Sequence, residues 1–311
     1  MESIKLVTDD KYLPVILKLI GGAEKSIDIL AYSFAIGSAQ GKLAPKTAPY
    51  QIAQKIIDRK KELKSKLKIR LYIEGHRETS DRNQVTANFL KKAGVQIKYG
   101  STHAKGFCID DRYVLFGSTN LTQQSIVKNL ETNLLFEEKT VVKGFDQYFS
   151  HLWSGGTHGG VKLPPPLIAD GDFKDVLIEL IDSAKKSLEF SIYFFHHSEI
   201  ESAFLRAHKR GVKIIGFIHD HLAFALGYVK RTHGTAFRMQ EGGIKNIYFG
   251  PNHLFTHSKY IIKDKKEILL GTGNWLHEDV KIHPQLYVHL ENSVLAKQLS
   301  KHLAQQIEKQ K

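Results

Sequence analysis

THAKGFCIDDRYVLFGSTNLT, residues 102–122, places a histidine, a lysine and an aspartate ahead of a small-residue turn that ends in asparagine. A second stretch, THSKYIIKDKKEILLGTGNWL at residues 256–276, repeats the order His-x-Lys-x4-Asp, an apolar run and the same kind of turn. Each copy has 17 residues from its histidine to its asparagine, and the two copies are 154 residues apart. The pattern therefore indicates a duplicated unit.

The repeat extends beyond these two stretches. LIGGAEKSIDILAYSF at 19–34 aligns with LIDSAKKSLEFSIYFF at 180–195, and each reads as the end of a helix followed by a buried strand. Helical and strand patterns alternate in both halves, which favours an α/β layered fold. We predict two similar α/β/α sandwich halves, related by a pseudo-two-fold axis and sharing one active site.

Gly and Pro interrupt the pattern between the two repeats. We therefore assign residues 1–155 to an N-terminal half, 156–171 to a linker and 172–311 to a C-terminal half.

The composition of the 311 residues indicates a globular protein with a basic surface. Hydrophobic residues make up 42% and charged residues 25%, but 45 Lys and Arg against 32 Asp and Glu give a net charge of +13. This excess favours a polyanionic partner, either nucleic acid or an anionic membrane. The single cysteine, Cys108, excludes an intrachain disulfide and a cysteine-rich zinc site. No run of 18 apolar residues occurs, so we expect a cytoplasmic protein.

The repeated histidines and lysines suit phosphodiester chemistry. A lysine can neutralise phosphate oxygens, a histidine can attack phosphorus or transfer a proton, and an asparagine can donate to phosphoryl oxygens. Two copies supply one imidazole as nucleophile and another as acid and base. The candidate catalytic residues are His103, Lys105, Asn120, His257, Lys259 and Asn274.

No cofactor and no metal are required by this chemistry, because the lysines supply the positive charge. HH at 196–197 and HDH at 219–221 could hold a metal ion. They lack a matching carboxylate cluster, so we expect no metal site there.

Both stretches resemble the phospholipase D superfamily, whose pattern is His-x-Lys-x4-Asp followed by a Gly-Ser-x-x-Asn turn or a close variant. The resemblance covers both halves and is closest to the small basic nucleases of the family. It implies metal-independent hydrolysis through a phosphohistidine. It also implies that Asp110 and Asp264 brace the backbone instead of contacting substrate, and it favours His103 as nucleophile with His257 as acid.

The family also places an acidic residue after the asparagine, hydrogen-bonded to an active-site histidine. Glu131 lies 11 residues after Asn120, whereas Gln285 lies 11 residues after Asn274. We count both among the catalytic candidates and leave open which histidine Glu131 serves. We further expect Ser118, Thr272 and Trp275 to bind substrate, with Trp275 either stacking on a base or packing on a helix.

The family does not by itself identify the substrate. The positive charge, the compact halves and the absence of a membrane-spanning run favour a nuclease that cuts DNA or RNA. The alternative is a phospholipase D or phosphatidyl transferase acting on anionic membrane lipid. A third reading is a nucleic-acid-binding module without turnover, for which Gln285 is the one indication. One chain is expected to hold a complete site.

Overall fold

Among the described residues, short apolar runs form the strands of two seven-stranded sheets and one two-stranded sheet, and amphipathic segments form the helices around them. The computed structural model describes residues 4–220 and 226–310. The strands of the first half are β1 (Lys5–Thr8), β2 (Ser26–Ala31), β3 (Lys68–Glu74), β4 (Gln96–Gly100), β5 (Gly106–Ile109), β6 (Tyr113–Gly117) and β7 (Thr132–Phe136). Its helices are α1 (Tyr12–Gly22), α2 (Ala48–Leu63), α3 (Ser80–Lys91), α4 (Gln123–Val127) and α5 (Lys139–Trp153).

The second half repeats this sequence of elements. Its strands are β8 (Leu167–Ala169), β9 (Ser187–Ile192), β10 (Phe195–His196), β11 (Lys213–His219), β12 (Ile247–Gly250), β13 (Lys259–Lys263), β14 (Glu267–Gly271), β15 (Trp275–Leu276) and β16 (Leu286–Glu291). Its helices are α6 (Phe173–Asp182), α7 (Ser198–Lys209), α8 (Leu226–Glu241), α9 (His277–Lys281) and α10 (Ser293–Gln310).

The two sheets have equivalent strand orders, β1-β7-β6-β5-β2-β3-β4 and β8-β16-β14-β13-β9-β11-β12. In each sheet three neighbouring strands are parallel, and the strand that follows the His-x-Lys pair runs antiparallel beside them. The register sets Ile29 opposite Phe107 and Phe190 opposite Ile261. This arrangement confirms the predicted fold class of two similar α/β/α halves.

One large apolar core unites the two halves. It contains Phe116 of β6 and Phe145 of α5 from the first half, together with Tyr260 of β13 and Leu299 of α10 from the second. The opposite face of the first sheet packs on α1, α2 and α3, and the opposite face of the second packs on α6, α7 and α8. Because the shared core fixes one half against the other, loops from both halves can meet in a single site.

The stretch predicted as a linker, 156–171, contains an element of the second sheet. Its residues Leu167–Ala169 form β8, which pairs antiparallel with β16. No helix of the described ranges 4–220 and 226–310 is long and apolar enough to cross a membrane.

Candidate active site

The two motif histidines, His103 and His257, lie just before strands β5 and β13. The His-x-Lys motif is not part of one continuous strand, because β5 begins at Gly106 and β13 begins at Lys259. The reason is that each histidine bonds to the other half instead of to a neighbouring strand. The backbone N–H of His103 donates to the Pro284 carbonyl at 2.7 Å, and that of His257 donates to the Leu130 carbonyl at 2.9 Å.

The aspartate of each motif holds the turn that follows its strand. Asp110 and Asp264 adopt positive φ values of 56° and 51°. The Asp110 carboxylate accepts backbone N–H bonds from residues 24–26, and the Asp264 carboxylate accepts those of residues 185–187. Both carboxylates therefore brace the backbone, as the family resemblance implied.

The two lysines bring the half-sites together. Lys105 Nζ donates to the His103 carbonyl at 2.6 Å, and Lys259 Nζ donates to the His257 carbonyl at 2.6 Å. Lys105 Nζ also reaches the carbonyl of Thr272 in the other half at 3.3 Å. Both side chains are almost completely buried. One chain thus gathers two histidines and two lysines in one place.

Glu131 serves the histidine of the opposite half. Its Oε2 lies 3.0 Å from His257 Nδ1, and the same oxygen accepts the Ser118 hydroxyl at 2.5 Å. Oε1 accepts the hydroxyl of Ser125. These bonds leave the carboxylate little freedom, so it orients the His257 ring with Nε2 directed away from Glu131.

Gln285 occupies the equivalent sequence position but has a different role. Its side-chain amide donates to the Asp279 carbonyl at 2.7 Å, and its Oε1 accepts the Tyr287 hydroxyl at 3.0 Å. A Cβ on Gly273 would lie 0.9 Å from Oε1. Thr119 stands at the matching position of the first half. The missing side chain at Gly273 therefore leaves room for the Gln285 amide, whose bonds go to Asp279 and Tyr287; these contacts do not support the predicted catalytic role of Gln285.

Asp279 and His283 are the polar residues that lie beside the site in the second half, and the sequence analysis identified neither of them. Asp279 Oδ1 lies 2.6 Å from His283 Nδ1, and Oδ2 accepts the Asn274 backbone N–H at 3.2 Å. The His283 ring centroid is 6.3 Å from that of His103. The offset of 154 residues that relates the motifs also pairs Asp279 with Ser125 and His283 with Asn129, which is the signal that could have found them.

Burial and neighbouring positive charge favour the neutral forms of the bases. Burial, with Lys105 and Lys259 nearby, holds the pKa of His103 well below its usual range. Burial likewise lowers the pKa of Lys259 to about 7 and that of Lys105 in the same direction. A bound phosphodiester would act in the opposite direction, because its negative charge favours the protonated forms of these groups.

In the Glu131–His257 pair, the carboxylate of Glu131 is ionised. Burial alone would raise the pKa of Glu131, but His257, Lys259 and the Ser118 hydroxyl outweigh it and lower that pKa to about 2. Burial lowers the pKa of His257 to about 4, with Glu131 acting in the opposite direction. Of the two catalytic histidines, His257 is therefore the one with a carboxylate that favours its protonated form.

Two tyrosines line the site, although their positions at the ends of apolar strands favoured the core. The Tyr32 ring lies 4.6 Å from His103 and 5.1 Å from Lys105 Nζ. The Tyr193 ring lies 4.8 Å from His257 and 5.3 Å from Lys259 Nζ. Each half thus contributes one aromatic wall to a histidine–lysine pair. Hydrophobic periodicity does not distinguish such a wall from a core position.

The three predicted substrate-binding residues do not face the cleft. Ser118 is fully buried and bonds to Glu131 and to the Thr132 backbone N–H. The Thr272 hydroxyl accepts the Leu286 N–H at 3.1 Å. Trp275 is 2% exposed and packs against Phe190, Phe195 and Phe204. Substrate contact by these three side chains was a wrong prediction, because each is taken up by the scaffold.

Asn120 and Asn274 retain free amide capacity at the end of each turn. The Oδ1 atoms of both have no protein partner in the described part of the chain. Their backbone N–H groups are held by Ser125 and Asp279. The backbone is thus fixed, while the Oδ1 atom of each side-chain amide is left without a protein partner; donation by these amides to phosphoryl oxygens stays a prediction.

The histidine pairs outside the site pack with rings and hydroxyls. His197 stacks on His277 at 4.0 Å, and His196 lies near Thr235. His221, part of the HDH sequence, lies outside the described residues. Within residues 4–220 and 226–310, no group of three or more His, Cys, Asp or Glu side chains is arranged to hold a metal ion.

Comparison with known proteins bears on both halves of the chain. The family model described as "Cardiolipin synthase, PLD-like domain" matches residues 16–153 and 177–307. Human mitochondrial cardiolipin hydrolase is 35% identical over 68 residues, which cover 21% of this chain and 27% of that protein. The chain thus matches only about a quarter of the length of this curated relative.

Solved structures share the fold over nearly the whole chain. Phosphatidylserine synthase from Haemophilus influenzae Rd KW20 matches with a TM-score of 0.73 and 14% identity, covering 99% of this chain and 86% of that one. Polyphosphate kinase from Porphyromonas gingivalis matches with a TM-score of 0.67 and 15% identity, covering 98% of this chain and 50% of that one. At this identity the likeness concerns the fold alone.

Proposed function

This chain belongs to the phospholipase D-like family, and on that premise we propose that it is a phosphodiesterase acting on anionic phospholipid at a membrane surface. Membership supports phosphodiester chemistry but leaves the substrate open. The choice of substrate therefore depends on what surrounds the site.

One surface feature carries the proposal. Helices α4 and α9, at equivalent positions of the two halves, each end in an exposed apolar residue beside an exposed lysine, Val127–Lys128 and Lys281–Ile282. Val127 is 53% exposed and Ile282 is 59% exposed. Apolar side chains next to ammonium groups suit a bilayer surface, where the chain inserts and the charge meets lipid phosphate.

These two tips are close to the catalytic groups along the chain. Leu130, three residues after Val127, bonds to the His257 backbone, and Pro284, two residues after Ile282, bonds to the His103 backbone. A bilayer held at the tips would therefore present its headgroups near both histidines. The net charge of +13 adds attraction to anionic lipid. The names of two similar proteins, a cardiolipin hydrolase and a phosphatidylserine synthase, also refer to phospholipids.

The asymmetric carboxylate supports the roles that we propose for the two histidines. His103 lies among Lys105, Lys259 and Arg77, which favour a neutral imidazole and hence a nucleophile. His257 bonds to Glu131, which favours the imidazolium needed by an acid. The bound phosphodiester adds a negative charge that raises the pKa of both histidines. At His257 the Glu131 carboxylate raises the pKa further, so His257 is the histidine that carries the proton.

The reaction then proceeds in two balanced steps. The Nε2 lone pair of His103 attacks phosphorus, the bond to the leaving oxygen breaks, and His257 gives that oxygen its proton. His257 next takes a proton from water, the resulting hydroxide attacks phosphorus, and the P–N bond breaks to restore His103. Lys105, Lys259 and the two asparagine amides stabilise the charge on the non-bridging oxygens.

The test compares substrates under one condition. Vesicles of phosphatidylglycerol or cardiolipin, vesicles of phosphatidylcholine, and labelled single- and double-stranded DNA and RNA are each incubated with the protein in EDTA. We expect headgroup release or lipid cleavage from anionic vesicles, lost in His103→Ala and His257→Ala. Cleavage of nucleic acid without lipid turnover would overturn the lipid assignment and restore the nuclease reading, which the positive charge also allows.

A paired variant isolates the role of the tips. Val127→Ser with Ile282→Ser should reduce turnover of anionic vesicles about 10-fold and leave turnover of a water-soluble short-chain phospholipid unchanged. Val294→Ser, which removes another exposed apolar side chain (66% exposed) on α10, is the control and should change neither activity. Equal loss on both substrates would contradict a docking role for the tips.

A further inference from the structure

Three polar residues around each asparagine are matched between the halves, but their chemistry is redistributed. Ser125, Asn129 and Glu131 of the first half correspond to Asp279, His283 and Gln285 of the second. In the first half the carboxylate is on the third member and touches the opposite histidine directly. In the second half it is on the first member, Asp279, which bonds to the His283 ring and to the Asn274 backbone and to neither motif histidine among the bonds of the described residues.

The bonds of Asp279 fix the tautomer of His283. Oδ1 of this buried carboxylate lies 2.6 Å from His283 Nδ1, so Nδ1 carries the proton and donates it. The other ring nitrogen, Nε2, is then an acceptor. The His283 ring lies 6.3 Å from the His103 ring, centroid to centroid.

His103 has a hydrogen-bonding requirement that its described neighbours do not meet. If its Nε2 attacks phosphorus, its Nδ1 carries the proton, and a buried N–H needs an acceptor. His103 Nδ1 is buried and has no partner in the part of the chain that the structure describes. A direct bond between two imidazoles, at an N···N distance of about 2.9 Å, brings their centroids to about 5 Å. A rotation of the partly exposed His283 ring, or a bridging water, covers the remaining distance.

We propose that His283 and Asp279 form a positioning relay for the nucleophile, in which His103 Nδ1–H is accepted by His283 Nε2 and His283 Nδ1–H is held by Asp279. The inference rests on the proposed phosphoryl transfer to His103. The relay keeps the attacking nitrogen unprotonated, and it stabilises the positive charge that develops on the ring when the P–N bond forms. His283 and Asp279 then do for His103 what Glu131 alone does for His257.

The relay and a simple charge effect predict opposite shifts of the acid limb of the kcat/KM profile when His283 is removed. The charged groups near His103 are Lys105, Lys259, Arg77 and His283. As an acceptor, His283 makes His103 more basic, so its loss should shift the acid limb of kcat/KM to lower pH. If His283 acted only as a nearby cation, its loss would shift that limb to higher pH.

The first measurement needs no substrate. In wild-type protein labelled with ¹⁵N-histidine, NMR should show His103 as the Nδ1–H tautomer with a hydrogen-bonded proton protected from exchange, assigned by its absence in His103→Gln. His283→Gln and Asp279→Asn should expose that proton to exchange. A proton on Nε2 in the wild type, or unchanged protection in both variants, would overturn the relay whatever the substrate proves to be.

The second measurement uses bis(p-nitrophenyl) phosphate. His283→Gln should reduce kcat about 10- to 100-fold with little change in KM, and move the acid limb to lower pH. His289→Gln is the matched control, because His289 pairs with Glu267 on the sheet at 3.3 Å, and it should leave the profile unchanged. An acid limb moved to higher pH would reject the relay. If His283→Gln does not fold, Asp279→Asn and the wild-type tautomer decide.

Discussion

Glu131 and His257 lie 126 residues apart in the chain and in different halves of the molecule, yet their side chains are joined at 3.0 Å. This bond crosses the interface between the half-sites and makes the two catalytic histidines unequal. His257 has a carboxylate on its ring, whereas the His103 ring lies beside two lysines. Under the proposed mechanism, this inequality makes His103 the nucleophile and His257 the acid.

Glu131→Gln should retain the fold and lose most of the activity. The amide can still accept from His257 but no longer favours its protonated form, so we expect kcat to fall about 10- to 100-fold. Because Glu131 raises the pKa of His257, its loss should move the basic limb of the kcat/KM profile to lower pH. A profile of pH against kcat/KM checks this. An unchanged basic limb would mean that His257 is not the acid.

Lys259→Met should abolish activity and stabilise the protein at neutral pH. Burial lowers the pKa of Lys259 to about 7, below its unfolded value of 10.5, so keeping the lysine charged costs folding energy. The cost is fully present below pH 7 and disappears as the pH rises to 10.5. We expect Tm to rise by about 2–5 °C at pH 6–7 and the gain to vanish near pH 10.5.

The control for this stability change is Lys301→Met, which replaces an exposed lysine on α10. Calorimetry of both variants over pH 6–10 measures the difference. A lower Tm for Lys259→Met at neutral pH would show that the ammonium stabilises the fold, against this account.

Tyr193→Phe should retain activity, whereas Tyr193→Leu should lose about 3- to 30-fold in kcat/KM. The ring, not the hydroxyl, faces His257 and Lys259, and a cation over an aromatic face is worth about 0.5–2 kcal/mol. Steady-state kinetics on a soluble phosphodiester distinguishes these variants. Equal losses in both would assign the effect to the hydroxyl.

Trp275→Leu should destabilise the protein by about 2–4 kcal/mol and leave the kcat of the folded fraction unchanged. The indole is buried against three phenylalanines behind the Asn274 turn, so its loss opens a cavity away from substrate. Urea unfolding and active-site titration measure the two quantities. A large change in KM without loss of stability would return Trp275 to the binding site.

The repeat in the sequence was sufficient to predict two α/β/α halves and the pairing of their histidines, lysines and asparagines. It was sufficient because the motif spacing, 17 residues from His to Asn in both copies, fixes equivalent positions in equivalent folds. The bracing roles of Asp110 and Asp264 came from the resemblance to the family, and the backbone N–H bonds that both carboxylates accept agree with it.

The sequence did not predict the direction in which side chains point at the interface between the two halves. Glu131 and Gln285 share a position relative to their motifs, but Gly273 in place of Thr119 opens a space that takes the Gln285 side chain away from the histidines. Trp275 and Tyr193 illustrate the same limit. One aromatic packs inward and the other lines the cleft, although both follow apolar strands.

The most direct test is to identify the phosphorylated residue. His257→Ala is mixed with a phosphatidyl p-nitrophenol, whose leaving group needs no acid, so the first step can proceed while activation of water by His257 is lost. Rapid acid-free digestion and mass spectrometry should then find the phosphatidyl adduct on His103 after one equivalent of p-nitrophenol is released. Release without an adduct on His103, or an adduct on His257 when His103→Ala is treated in the same way, would contradict the assignment of His103 as the nucleophile.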